Sequence, residues 1–142
     1  MEVAFWDSSA LVPLCVKRQA TETILDLSAN YGMAVWWCSP VEMRSAFARL
    51  ARVGQLKPVE HVQALVRLDR LRDGWREVQP ADSLREKAES FVDRFPLKAA
   101  DALQLAAAVS WCQGRPRNRA FISGDSQLLE AARQLGFNAI EA

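Results

Sequence analysis

The sequence predicts an α/β fold, a mostly parallel sheet with helices on both faces. Two observations predict it. Short apolar runs, Val3-Ala4-Phe5-Trp6, Met33-Ala34-Val35-Trp36-Trp37 and Ala120-Phe121-Ile122-Ser123, have the length and bulk of buried strands. Between them apolar residues recur at helical spacing, so strands and helices alternate along the chain, the pattern that right-handed crossovers turn into a parallel sheet. With 142 residues, the chain suits a single domain over 1–142, in which folding buries about two-thirds of the unfolded surface.

Taken in order, the first run ends at Asp7-Ser8-Ser9 and gives way to a helical stretch from Ala10 to about Lys17. Pro13 falls in its first turns, where unpaired donors make proline tolerable. A second helix is expected from Thr21 to about Ala29, stopped by Asn30-Tyr31-Gly32 ahead of the strand Met33–Trp37. Ser39-Pro40-Val41-Glu42 matches a capping box with proline at the first helical position, opening a helix that ends near Val53-Gly54. Val59, Val62, Leu65, Leu68 and Leu71 then form an apolar helical stripe that closes at Gly74. Trp75–Val78 reads as a weak strand. Leu84, Ala88, Phe91, Val92 and Phe95 mark an amphipathic helix ended by Pro96, and Leu97–Trp111 is a helix apolar on nearly every face, hence buried. After Ala120–Ser123 come a helix from Ser126 to Leu135, stopped by Gly136, and a last short strand from Asn138 to Glu141.

Composition excludes several classes. Half the residues are apolar and a quarter charged, as in globular proteins rather than disordered or fibrous ones. Net charge is +1, so no protein-wide field draws in a polyanion, and any nucleic-acid contact must use local patches. Arg44, Arg49 and Arg52 form one candidate and Arg115-Pro116-Arg117-Asn118-Arg119 another, with plain surface solvation the simpler reading of each. Cys15, Cys38 and Cys112 are scattered without ligand or redox spacing and read as reduced core residues. The N-terminus lacks a basic leader and no apolar run approaches the roughly 20 residues of a membrane span, so a cytoplasmic location is expected.

Among catalytic chemistries, the lone His61 on a helix gives no Ser-His-Asp set, zinc lacks ligand spacing, and no glycine-rich phosphate loop occurs. Carboxylates remain. Asp7 follows the first strand at the carboxyl end, where open parallel sheets place ligands, and Asp125 repeats this after Ala120–Ser123. Taken alone, a helix N-cap or turn residue is the simpler reading of either. Asp101 interrupts the apolar helix and must meet a cation, be neutralised or reach a cleft, with Lys98 three residues earlier as the plain partner. Glu42 is already explained by its capping box. Should the four converge, two charges 4 Å apart repel by about 4 kcal/mol at an effective dielectric near 20. Such a cluster requires a cation, and all-oxygen donors suit Mg2+ or Mn2+, which activate water toward a phosphate.

In their order and spacing, Asp7-Ser8-Ser9-Ala10-Leu11-Val12, Glu42 followed by Ala46 and Arg49, Asp101-Ala102-Leu103-Gln104-Leu105-Ala106, and Ser123-Gly124-Asp125 make the chain resemble a PIN-domain ribonuclease, specifically the VapC-type toxins of toxin–antitoxin pairs. The resemblance spans nearly the whole chain. It implies a three-layer α/β/α fold and a Mg2+ or Mn2+ site formed by Asp7, Glu42, Asp101 and Asp125, with hydroxyls at Ser9 and Ser123 in support. It further implies endonucleolytic RNA hydrolysis, a homodimer, and an antitoxin that occludes the site. Gln104 stands where many members have histidine and Ser123 where threonine is commoner. Ser126 and Gln127 follow Asp125 where some members add an acid, which removes a candidate ligand for a second metal. Two other readings are weaker. A haloacid-dehalogenase-like phosphohydrolase needs an aspartate where Ser9 stands, and a catalytically silent PIN-like module that binds RNA or protein has no reason to retain all four acids.

Overall fold

The computed structural model describes residues 1–142. Five strands, β1 (Glu2–Trp6), β2 (Tyr31–Trp36), β3 (Arg76–Val78), β4 (Ala120–Ser123) and β5 (Asn138–Glu141), form one sheet in the order β3-β2-β1-β4-β5. Every pairing is parallel, with Phe5 opposite Ala34 on one side and Phe121 on the other. The helices are α1 (Ser8–Cys15), α2 (Glu22–Asn30), α3 (Ser39–Arg52), α4 (Pro58–Gly74), α5 (Asp82–Arg94), α6 (Ala99–Trp111) and α7 (Ser126–Leu135). A single turn of 3-10 helix, Lys17–Gln19, follows α1.

Strand alternation sorts the core into two layers, because successive side chains point to opposite faces. Ala4 and Trp6 of β1, with Val35 and Ile122, pack beneath α1 to α4. Phe5, with Ala34, Trp36 and Phe121, packs beneath α5, α6 and α7. Helices thus cover both faces, as an all-parallel sheet requires. Phe5 and Phe121 stack with ring centroids 5.6 Å apart, and Phe137 joins Phe121 at 5.7 Å. The three-layer α/β/α architecture expected from the sequence is the one observed.

Boundaries differ where tertiary contacts override local signals. β2 starts at Tyr31, two residues early, because Glu2 and Val3 of β1 supply ladder partners for Tyr31 and Gly32. Gly32 is therefore a strand residue rather than a helix stop. A side chain there would crowd Val3 at 3.3 Å, and its carbonyl accepts the Trp6 indole N–H at 3.2 Å. Because α1 begins at Ser8, Pro13 is its sixth residue, beyond the donor-free first turn, and the helix ends two residues later. α6 starts at Ala99 rather than Leu97, since the Leu97 N–H is tied to the Phe95 carbonyl in the turn after α5. The stripe on α4 is only half buried. Ala64 and Leu68 enter the core, whereas Val59 and Val62 are each 61% exposed; a spacing of three drifts around a helix of 3.6 residues per turn and cannot stay on one face. Gly136 ends α7 with φ of 105°, a left-handed cap that glycine adopts without strain.

All three cysteines are free, as expected, and Cys15 and Cys112 are core residues. No helix is long and apolar enough to cross a membrane. Phe121 joins both strand neighbours and the α7 layer, so Phe121→Ala should destabilise the fold by about 3–5 kcal/mol; urea unfolding monitored by circular dichroism measures this, and a loss below about 1 kcal/mol would contradict the packing.

Candidate functional site

β1 and β4 lie side by side at the middle of the sheet, and the chain leaves their carboxyl ends in opposite directions. From β1 it passes through α1 on one face toward β2; from β4 it passes through α7 on the other face toward β5. That divergence is a topological switch point, where a crevice opens. Asp7 and Asp125 flank it.

Asp7 continues the ladder past β1, its N–H donating to the Ile122 carbonyl at 3.0 Å. Its side chain is 2% exposed. Although Asp7 occupies the N-cap position of α1, its carboxylate caps nothing. Oδ2 instead accepts hydrogen bonds from Ser9 Oγ and from Ser123 Oγ, the latter at 2.8 Å. The two hydroxyls lie 3.3 Å apart. Ser9 Oγ in turn accepts the Gly124 N–H at 2.9 Å and Ser123 Oγ accepts the Asp125 N–H at 3.0 Å. Ser9 and Ser123 thus both contact Asp7 directly.

Glu42 corrects the sequence reading. Ser39 is the first residue of α3, not its cap; Cys38 holds that position, and no side chain caps the helix. Without a capping box, the structural explanation of Glu42 disappears. Its carboxylate is instead held by Ser8 Oγ, donating at 2.8 Å, and by Gln104 Nε2, at 3.2 and 3.4 Å from its two oxygens. Gln104 is fully buried and also donates to Ser39 Oγ at 3.2 Å. Its own carbonyl has no partner, a defect worth about 1–3 kcal/mol and carried by the residue that orients Glu42. Asp101, one turn before Gln104 on α6, is half-buried and makes no ion pair; Lys98 exerts only a weak pull and forms no salt bridge with it. Asp125 does serve as a cap, its Oδ1 accepting the Leu128 N–H at 3.0 Å, which leaves its second oxygen free of that bond.

Electrostatics tie the four together. Burial raises the Asp7 pKa, opposed by the Ser9 and Ser123 hydrogen bonds and reinforced by repulsion from Asp125. Glu42 is raised by burial and by repulsion from Asp7 and Asp101, against the stabilising bonds from Ser8 and Gln104. Asp101 rises to about 6, first through burial and then through repulsion from Asp7 and Asp125. Asp7 is thus coupled to each of the other three and Asp101 to Glu42 and Asp125, although no three His, Cys, Asp or Glu side chains form a ready-made metal cage. The neutral donors Ser8, Ser9, Ser123 and Gln104 orient the carboxylates without cancelling their charge. An all-oxygen donor set with uncompensated charge fits a hard divalent ion such as Mg2+ or Mn2+ and fits zinc poorly.

Sequence reasoning missed Ser8 and Ser39 and treated Gln104 only as a departure from a motif. Gln104 carried a signal: apart from Asp101, it is the one polar residue of Ala99–Val109, and i, i+3 spacing sets the two on the same side of the helix. The lone His61 is half-buried on α4 beside Arg44 and Val41, in a furrow that the four acids do not line. Arg115 to Arg119 precede the amino end of β4, at the opposite end of the sheet from the acids, where Arg119 covers the Trp111 ring at 4.7 Å.

The fold and the acid cluster at the switch point define an α/β/α protein whose candidate centre is built from carboxylates. No family model and no curated protein sequence matches the chain. Solved structures do. PAE2754 from Pyrobaculum aerophilum superposes with a TM-score of 0.68 at 20% identity over 99% of this chain and 89% of that one. VapBC2 from Rickettsia felis, bound to a DNA fragment from its promoter, also reaches 0.68, at 9% identity over 98% of both chains. A toxin–antitoxin complex from Klebsiella pneumoniae reaches 0.58 at 13% identity over 87% of this chain and 88% of that one. At such identities the likeness is one of fold, and it agrees with the architecture that the PIN-domain resemblance implies.

Removing one charge should relax the cluster. In excess chelator Asp101→Asn is expected to melt a few degrees above the parent protein, because it deletes repulsion with Asp7, Asp125 and Glu42 without deleting a hydrogen bond. Differential scanning calorimetry reads the shift, and a marked fall in Tm would mean that the Asp101 charge is compensated.

Proposed function

We propose that this protein is a Mg2+- or Mn2+-dependent endoribonuclease, the toxin component of a toxin–antitoxin pair, working in the cytoplasm. The observation that carries the reading is the gathering of Asp7, Glu42, Asp101 and Asp125 at the switch point with no cation paired to any of them. Four acids brought together from the ends of β1 and β4 and from α3 and α6 repel one another, a cost that the one helix cap made by Asp125 does not explain. The motif resemblance supplies the activity, and one of the structures sharing the fold is by name a toxin–antitoxin complex, which supports an antitoxin as protein partner. A homodimer belongs to the same proposal.

Asp7, Glu42, Asp101 and Asp125 would hold the ion. When bound, it supplies Lewis acidity toward water and toward the phosphodiester oxygens. The chain's own residues prepare that chemistry. Ser9 and Ser123 fix one Asp7 oxygen, so that the other is presented in a single direction. Ser8 and Gln104 hold Glu42 by both oxygens, and capping α7 sets the plane of the Asp125 carboxylate. Such orientation by hydrogen-bonded neighbours reduces the rearrangement needed at the moment of reaction.

Purified protein should cleave RNA internally in Mn2+ or Mg2+ and fall silent in excess chelator, with Asp101→Asn slower by at least about a hundredfold, since even residues that only orient ligands matter by 10–100-fold. Undiminished cleavage by that variant or in chelator would remove the mechanism. Hydrolysis of a small phosphate ester without RNA cleavage would favour the haloacid-dehalogenase-like alternative. Gln104→Leu keeps the volume and deletes the unsatisfied carbonyl but also the bonds to Ser39 and Glu42, so stability should change by no more than about 1–3 kcal/mol while Mn2+ binding weakens by about 10–100-fold, read by calorimetric titration; unchanged Mn2+ affinity would reduce Gln104 to a packing residue.

A further inference from the structure

A cleft of about 530 Å3 opens between α1 and α3 directly beside the acid cluster, with Ser8 and Glu42 at its inner end and Gln19, Ser45 and Arg49 along it. That volume lies within the range of about 300–1,000 Å3 typical of ligand sites. Helix geometry explains the lining. Seven residues make nearly two turns, so Arg49 returns to the same side of α3 as Glu42, about 20° off and about 10 Å further along the axis, whereas Arg44 lies about 160° around. Arg44 accordingly faces the furrow on the α4 side.

Arg49 is exposed and makes no salt bridge and no side-chain hydrogen bond. An unpaired guanidinium, two turns of helix from Glu42 and in the cleft that Glu42 lines, is an anion site held apart from the acids. Ser45 and Gln19 add neutral donors beside it, and Val12 and Val41 give the walls an apolar surface on which a ribose or base can lie. Planar, always-charged guanidinium suits a phosphate group and can engage two of its oxygens at once.

We infer that Arg49 is the anchor for a phosphate flanking the scissile one, so that the substrate strand runs along α3 from Arg49 into the acid cluster. The inference rests on the endoribonuclease reading and adds to it the strand's path. Arg49 is a positioning residue: its separation from Glu42 sets it on a neighbouring phosphate, and its contribution falls on binding more than on the chemical step. An acidic peptide is the competing occupant, but it offers no reason for the anion site to share a cleft with Glu42.

The experiment compares the wild-type chain, Arg49→Ala, Arg49→Lys and, as a control on the other side of α3, Arg44→Ala. Two readouts are taken: cleavage kinetics on a fluorescent oligoribonucleotide in Mn2+, and anisotropy binding of the same oligonucleotide by the Asp101→Asn protein with and without each substitution. Arg49→Ala should raise KM and the binding constant about tenfold, with the loss on KM rather than kcat, while Arg49→Lys recovers part of it and Arg44→Ala changes far less. The salt dependence of binding should lose about one unit of slope, the signature of one phosphate contact. Mn2+ affinity should not move. If wild type cleaves RNA but Arg49→Ala leaves KM, binding and salt slope unchanged, the strand path is wrong and the nuclease reading stands. If RNA is bound through Arg49 yet never cut, the phosphate anchor holds and the nuclease reading falls. Neither binding nor cleavage overturns both, as does Arg49-dependent binding of an oligoglutamate peptide with RNA binding indifferent to Arg49.

Discussion

A carboxylate that is 2% exposed, with no cation bonded to it, constrains everything around it. Asp7 can be sealed inside only because two hydroxyls from distant parts of the chain reach one of its oxygens. Ser9 comes from the first turn of α1, and Ser123 ends β4, so the arrangement exists only while β1 and β4 are neighbours. Gly124 tightens it further by donating its N–H to Ser9. The switch-point topology is therefore the condition under which a buried charge is tolerable, and the second oxygen is left for other work.

The same principle runs through the rest of the cluster. Neutral groups orient the acids: serines for Asp7 and Glu42, an amide for Glu42, a backbone N–H for Asp125. Had arginines or lysines done this, the charge would have been cancelled and the proposed divalent site with it. Positive charge is kept elsewhere, on α3 at Arg44, Arg49 and Arg52 and in the segment before β4. With a net charge of +1, the chain separates its charges in space rather than accumulating one sign.

Most of the fold was legible because burial and turn chemistry agreed. β4, α7 and β5 were read to their ends, since Ala120–Ser123 is uniformly apolar up to its serine and Gly136 stops the helix as only glycine does readily. Asp101 stood out because an acid in an apolar helix must be explained. Glu42 was misread in part: Ser39-Pro40-Val41-Glu42 satisfies the letter of a capping box, yet Ser39 turned inward to Gln104, a contact 65 residues away that no local window contains. Val59 and Val62 were placed in a stripe by spacing alone, and their exposure depends on where α1 and α3 lie. The partners of the acids were the least legible part. For Asp125 taken alone a cap is the simpler reading, and its geometry does serve as a cap while leaving one oxygen uncommitted.

The position of β1 between β2 and β4 bears on how the chain matures. β2 follows β1 after one short excursion, but Asp7 and its partner Ser123 are separated by 116 residues. A polypeptide emerging amino end first can pair β1 with β2 early and must leave the opposite edge of β1 open. Asp7 stays without Ser123, and Asp125 is missing altogether, until nearly all of the chain has been made. An unfinished or truncated chain therefore lacks the assembled acid cluster.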